Sequence, residues 1–194
     1  KRDGLLVVGS QGLDALDRFM LGSVSTKLIH HATCPVLVVK NEAVLLRRIT
    51  LATDGSEASA KALKFVLTKF QPDRSTGKGR RVSIHVSVIH VFPRRPLAPL
   101  EIGTTVPWTK YRGLKVKEVG HRLVEQGAQK LIKAGFTAEP LCQLGNPAEK
   151  IMKVASKQHA DLIVMGAKGL AAIDRFLLGS VSTRVVQHSS CSVL

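Results

Sequence analysis

The sequence is poor in cysteine, in aromatic residues and in acid. Among 194 residues there are three cysteines, one tryptophan and one tyrosine, and 14 Asp and Glu stand against 29 Lys and Arg. Cysteines at 34, 142 and 191, without paired spacing, exclude a disulfide framework or a thiolate zinc site. They suit a reducing compartment such as the cytoplasm. No run reaches the roughly 18 consecutive apolar residues of a membrane-crossing helix. The opening "KRDGLLVVGS" is too short in apolar residues for a secretory signal. Basic residues without interleaved aromatics, and without a recognisable reading helix, argue against nucleic acid as the main partner.

What is present begins with charge. A formal net charge of +15 attracts polyanions, nucleotide phosphates included, although the basic residues are scattered apart from "GKGRR" and "PRRP". A polyanion-binding protein driven by this charge is one reading. At 44% hydrophobic, the chain has enough apolar residues for one full core and a fragment of another.

A repeat organises the rest. Residues 9–26, "GSQGLDALDRFMLGSVST", return at 166–183 as "GAKGLAAIDRFLLGSVST". The likeness extends without gaps over 4–37 and 161–194, where about 19 positions are identical. It pairs Cys34 with Cys191, both expected as small buried apolar residues. The first copy opens the chain, whereas the second closes a stretch that reads as a nearly whole domain. The expected organisation is therefore a remnant at 1–41, a linker at 42–46 and a nearly complete domain at 47–194, the front of the first domain being absent.

Within 47–194, strands and helices alternate. "RRITLAT" is a β-branched run ending at the turn signal Asp54-Gly55, and Ser56 can cap a helix with Ala58, Ala62, Val66 and Phe70 at i, i+4 spacing. "QPDRSTGKGRR" (71–81) reads as a polar loop, and Val82 to Phe92 as a second strand. Prolines 93, 96, 99 and 107 mark a long loop. A helix follows from about Leu114 to Ala134, with Gly135 as its C-terminal cap. "TAEPLCQLG" is a third strand. Asn146, Pro147 and Glu149 form a helix-start signature, "DLIVMG" is a fourth strand, and "CSVL" starts a fifth after a last helix. Continuous apolar strands alternating with helices predict an α/β fold: a doubly wound, open, parallel five-stranded sheet, with a partial second copy of the same domain beside it. Ligands of such sheets lie beyond the carboxyl ends of the strands, where "ATDGS" and "MGAKG" both fall.

The repeated string has the form Gly-x2-Gly-x9-Gly-Ser. Gly166 and Gly169 allow positive φ or close backbone approach, and Gly179-Ser180 opens a helix whose N–H groups and dipole favour an anion. The hydroxyls of Ser180 and Ser182 can add donors. Arg175 either reaches phosphate or pairs with Asp174, and the pairing is the expectation. Neither a Walker-type loop nor a G-x-G-x-x-G after the first strand is present.

These residues resemble the ATP-binding branch of the universal stress proteins: "LATDGSEAS", "HVF", "VMGAKG" and the spaced "GS". The resemblance covers 47–194, with 4–41 as a remnant. It implies a nucleotide-dependent regulatory module that holds ATP, with Mg2+ or Mn2+, and a homodimer-like pairing of two domains. It implies an adenine pocket at Ala52, Val91 and Met165, with Thr53 and Asp54 beside the nucleoside. Phosphate contacts then fall on Gly166, Lys168, Gly169, Gly179, Ser180, Val181 and Ser182. Gly9, Gly12, Gly22, Ser23, Val24 and Ser25 form a second, incomplete site, because the first copy lacks equivalents of Ala52 and Asp54. In the family the last strand pairs across the seam, so Val36–Val39 is expected antiparallel to Ser192–Leu194.

Other residues fit plainer roles. His30, His31, His121, His159 and His188 lie in or at the ends of predicted helices, where solvation or the dipole explains them better than a metal. His90, in a strand beside the proposed pocket, is read as a satisfied core histidine rather than a base, and Trp108 as a lone aromatic. No catalytic residue is expected. A slow ATPase is the alternative to a binding module, but hydrolysis requires a base, and Asp54 and Asp174 are the placeable carboxylates.

Overall fold

The fold is described from a computed structural model, over residues 4–10, 22–40, 45–75, 81–93, 110–169 and 178–194. Gly12, Trp108, the Asp174–Arg175 pair and most of the "GKGRR" cluster lie outside these residues.

The first copy supplies β1 (Leu6–Gly9), α1 (Ser23–His31) and β2 (Val36–Val39). The second region supplies β3 (Arg48–Ala52), α2 (Glu57–Lys69), β4 (Asp73–Ser75), β5 (Arg81–Ser83), β6 (His85–Phe92) and α3 (Lys110–Lys133). It continues through β7 (Thr137–Leu144), α4 (Pro147–Lys157), β8 (Leu162–Val164), α5 (Ser180–His188) and β9 (Ser192–Val193). β9, β8, β3, β6 and β7 stand side by side in that order, all parallel: the five strands expected of 47–194.

The sheet does not stop at five. β2 runs antiparallel beside β9, with Val38 opposite Val193, and β1 lies parallel outside β2. The described residues thus form one seven-stranded sheet in which two parallel blocks meet head to tail at the β2–β9 seam. The seam pairing expected of the last strands is formed within a single chain. Lys40 reinforces it: its main-chain N–H donates to Ser192 Oγ, and its Nζ donates to the carbonyls of Gln187 (3.2 Å) and Ser189 (2.9 Å) at the end of α5. Burial pulls the Lys40 ammonium below the ordinary lysine value, and the nearby Cys191 opposes that.

Strands covered on both faces are buried at successive positions, as β3 is: Ile49, Leu51 and Ala52 are buried apolar residues, and the polar Thr50 between them is buried too. Ile49 and Leu51 point into a core with Val66 of α2 and Val124 and Leu131 of α3. Ala52, Ile89 and Ile163 face the other core, with Ile151 of α4 and Val185 and Val186 of α5. The helix starts form as the sequence dictates: Ser56 Oγ accepts from the Ser59 N–H (3.2 Å) and Asn146 Oδ1 from the Glu149 N–H (3.3 Å).

Three expectations change. The stretch 71–81 contains β4 and the start of β5, an antiparallel pair rather than a plain loop, because Ile84 is drawn into the core and carries the flanking residues into register. α3 begins at Lys110, ahead of the expected Leu114. Cys191 is buried, but Cys34 is only half-buried. Gly135 takes φ +91° after α3, as a C-terminal cap requires. His159 does the same after α4 at φ 50°, with the N–H of His159 donating to Ser156 and that of Ala160 to Ala155.

Candidate nucleotide-phosphate site

From β3 the chain moves to β6 on one side and returns to β8 on the other, so strand order reverses between β3 and β8. Above this switch point lies a cavity of about 350 Å3, within the range of small-ligand sites. All twelve residues expected of the principal site line it. Ala52, Thr53 and Asp54 come from the end of β3, and Val91 from the end of β6. Met165, Gly166, Lys168 and Gly169 follow β8, and Gly179 to Ser182 open α5.

The helix that faces the cavity differs from its neighbours. α2 and α4 carry side-chain caps, whereas α5 starts at Gly179, which has none to offer. Gly179 is extended (φ −66°, ψ 150°) and its N–H donates to the Ala167 carbonyl at 2.8 Å, which turns the first helical turn toward the cavity. The first intrahelical acceptor bond reaches only Thr183, so the N–H groups of Ser180, Val181 and Ser182 have no acceptor in the helix. Three amide donors and the positive end of a helix dipole converge where the cavity is lined by glycine.

The glycines have separate reasons to be glycine. Neither Gly166 nor Gly169 lies at positive φ, which corrects that part of the expectation. A Cβ on Gly166 would sit 2.8 Å from Ala58 C and Ser59 N, so this glycine lets β8 pass beneath the start of α2. A Cβ on Gly169 would sit 2.7 Å from Asp54 Oδ2. Asp54 Oδ1 accepts from the Ser56 N–H at 3.0 Å, so the carboxylate bridges the α2 turn and the glycine loop. Ser182 is buried and donates through Oγ to the Ala167 carbonyl (2.8 Å), holding that loop against α5. Ser180 is exposed.

Six further residues line the cavity: His90, expected beside it, and Ser59, Ile89, Pro93, Pro147 and Ile151, which escaped the sequence reading. Ile89 shares the period-2 face of Val91 and was open to detection by alternation. Pro147 and Ile151 enter because α4 packs across β3 and β6, which no local signal announces. His90 donates through Nδ1 to the Thr53 carbonyl at 2.9 Å, the behaviour of a satisfied core histidine, and it also borders the cavity.

In the first copy, Gly22 repeats the geometry of Gly179. It is extended (φ −60°, ψ 151°), lacks a side-chain cap, and donates its N–H to the Ser10 carbonyl at 2.9 Å. Ser25 Oγ donates to the Gly9 carbonyl at 2.7 Å. Ser23 and Val24 follow in the first turn of α1. None of these residues borders the cavity above β3 and β8.

Away from the site, on β6 and β7, Glu139 accepts from Ser87 Oγ (2.8 Å) and Gln158 Nε2 (2.6 Å), with His85 Nε2 at 3.3 Å. Burial works to raise its pKa, but the hydrogen bonds outweigh it and hold the carboxyl below the ordinary glutamate value. No described helix is long and apolar enough to cross a membrane.

Known proteins share this arrangement. A universal stress protein of Mycolicibacterium smegmatis is 31% identical over 207 aligned positions, which take in 98% of this chain and 60% of that protein. The solved structure of the protein MJ0577 is 29% identical with a TM-score of 0.61, covering 78% of this chain and 95% of its own. A universal stress family protein of Arabidopsis thaliana, solved with AMP bound, shares the fold at 18% identity and a TM-score of 0.50, covering 76% of this chain and 89% of its own. The model of the universal stress protein family matches residues 4–40 and 46–194. The chain belongs to the universal stress protein family.

Proposed function

We propose that the cavity above β3 and β8 binds ATP and that the protein is a nucleotide-dependent regulatory module of the stress response. The observation that carries this reading is the uncapped start of α5, three amides without an acceptor among the described residues, opening onto a glycine-lined cavity. At α5 the triphosphate supplies the acceptor that Ser56 and Asn146 supply internally to α2 and α4. The base lies against Ala52, Val91 and Met165, with Ile89 and Ile151 completing an apolar wall, and Asp54 accepts from the ribose hydroxyls. The AMP-bound Arabidopsis protein, alike in fold, is consistent with an adenylate in this crevice.

A divalent cation, Mg2+ or Mn2+, would arrive on the phosphate oxygens. Asp54 is the one carboxylate lining the cavity among the described residues, and one of its oxygens already accepts from Ser56. That supply of carboxylate suits binding better than hydrolysis, which needs a group to orient or deprotonate water. Regulation has a short route: α5 reaches from the phosphate site at Ser180 to the seam, where Lys40 holds its last carbonyls. In this reading 47–194 is the working domain and the first copy its seam partner.

Calorimetry with ATP, run on the parent and on Gly179→Asp, tests the assignment. The parent should bind and the variant, whose carboxylate occupies the amides, should not. Binding by both, or by neither, would remove the phosphate from this helix. A single-turnover assay separates module from enzyme, with rapid phosphate release favouring the latter.

A further inference from the structure

A second cavity, of about 360 Å3, lies where the first copy meets the second. The turn between α1 and β2 forms one wall, α2 another, and the chain after β8 with the start of α5 a third. It backs onto the nucleotide cavity, since Met165, Gly166 and Ser182 line both. Native interiors leave few voids larger than a water molecule, so a space of this size has a cause. The cause is small residues on facing walls: Ala32 from the turn, Ala58 and Ala62 from α2, and Gly166 and Ala167 after β8.

The repeat shows how the first wall becomes apolar. Ala32 and Pro35 stand where the second copy has Ser189 and Ser192. There both hydroxyls are engaged: Ser189 Oγ donates to the Cys191 carbonyl, and Ser192 Oγ accepts from the Lys40 N–H. In the first copy neither hydroxyl exists, and Ala32 and Pro35 line the cavity together with Ile29 and Val36. The charge on the walls has one sign. Lys61 is among the lining residues, and no Asp or Glu is, among the described residues. The Lys61 side chain is 73% exposed, which puts its ammonium at the rim, and it pairs there with Glu57 at 2.7 Å. An exposed pair of this kind yields readily to a competing carboxylate.

We infer that this cavity binds a small aliphatic carboxylate. The hydrocarbon lies between α2 and the α1–β2 turn, against Phe65 and Val186, and the carboxylate meets Lys61 at the rim. Apolar cavities take up apolar molecules, and burying a hydrocarbon chain is favourable in proportion to the area removed from water. A strongly polar ligand would lose its hydration against these walls, and a cationic one would meet Lys61 with no acid to balance it. The site is a second small-molecule input, separate from the nucleotide, and it stands whether or not ATP occupies the neighbouring cavity.

Decanoate, titrated into the intact chain without nucleotide and followed by calorimetry, tests this. Binding should saturate at one equivalent. Lys61→Met should weaken it about fivefold, the scale of an exposed ion pair, and 1-decanol should bind the parent more weakly than decanoate by the same factor. Ala32→Trp fills the space from a backbone position (φ −64°, ψ 135°) open to any side chain, and should abolish binding. Cys34 supplies a readout that needs no variant, because its half-buried thiol lines the cavity while Cys142, also half-buried, does not. Saturating decanoate should slow alkylation of Cys34 and leave that of Cys142 unchanged. No binding by folded protein, uptake of many equivalents without an end point, or equal affinity for decanol would overturn the inference. So would unaltered binding by Ala32→Trp, or Cys34 alkylation at the same rate with and without decanoate.

Discussion

Gly169 lies against the carboxylate of Asp54, so close that a methyl group on the glycine would come within 2.7 Å of Oδ2. The two stretches that flank the cavity, one after β3 and one after β8, touch at this point. Gly166, three residues earlier, presses instead on the backbone of Ala58 and Ser59. The two glycines should therefore fail in different ways. Gly169→Ala displaces a side chain and should leave stability almost unchanged while weakening ATP roughly tenfold, or about 1.4 kcal/mol. Gly166→Ala must move backbone and should cost about 1–3 kcal/mol in urea unfolding with no ligand present. Equal stability losses in both would contradict the distinction.

Gly179→Asp makes the sharpest separation of fold from function. The φ and ψ of Gly179 suit an N-cap residue, and an aspartate there supplies the missing acceptor and complements the helix dipole. Its Cβ meets Ser182 Oγ at 3.2 Å and the Ala167 carbonyl at 3.3 Å, a tight but yielding fit. Unfolding free energy should stay within about 1 kcal/mol of the parent, while ATP binding falls below detection by calorimetry.

Thr50 carries the one buried side-chain polar atom without a hydrogen-bond partner among the described residues, its Oγ1. An unsatisfied buried hydroxyl is a cost that Thr50→Val removes with little change of shape. Stability measured by urea unfolding should rise by about 1 kcal/mol. A loss of that size would show that the hydroxyl has a partner.

Glu139 sets an acid limit. Its carboxyl is held below the ordinary glutamate value in the folded state, so the folded protein binds fewer protons than the unfolded chain across that interval. Its contribution is full above the ordinary glutamate pKa and is lost as pH falls through the depressed one. Glu139→Gln should flatten the acid limb of the stability–pH curve and leave the neutral region alike in slope. An unaltered acid limb would remove Glu139 from the cause.

Much of this was legible in the sequence because it depends on local chemistry. The β-branched run at 48–52, the caps at Ser56 and Asn146, and the glycine after α3 each follow from one residue's own preferences. The glycine spacing pointed to the candidate site because glycines after a strand allow close backbone approach and a Gly-Ser helix start favours an anion. What escaped depends on long-range packing. Gly166 reads as a ligand glycine until α2 is seen to cross above it. Pro147 and Ile151 reach the cavity only through the way α4 lies on the sheet. The pairing of β4 with β5 comes from polar residues carrying no alternating pattern. Gly120, an unfavourable residue inside α3, makes sense only once a side chain there is seen to overlap the Phe92 ring.

The most direct test is an ATP titration followed by the backbone amide resonances of the intact chain. Ser180, Val181 and Ser182 should show the largest shifts, saturating together with Gly169, while the capped starts of α2 and α4 at Ser59 and Glu149 move little. Saturable ATP binding that leaves the three α5 amides unmoved, or no binding at all in folded protein, would contradict a triphosphate seated on this helix.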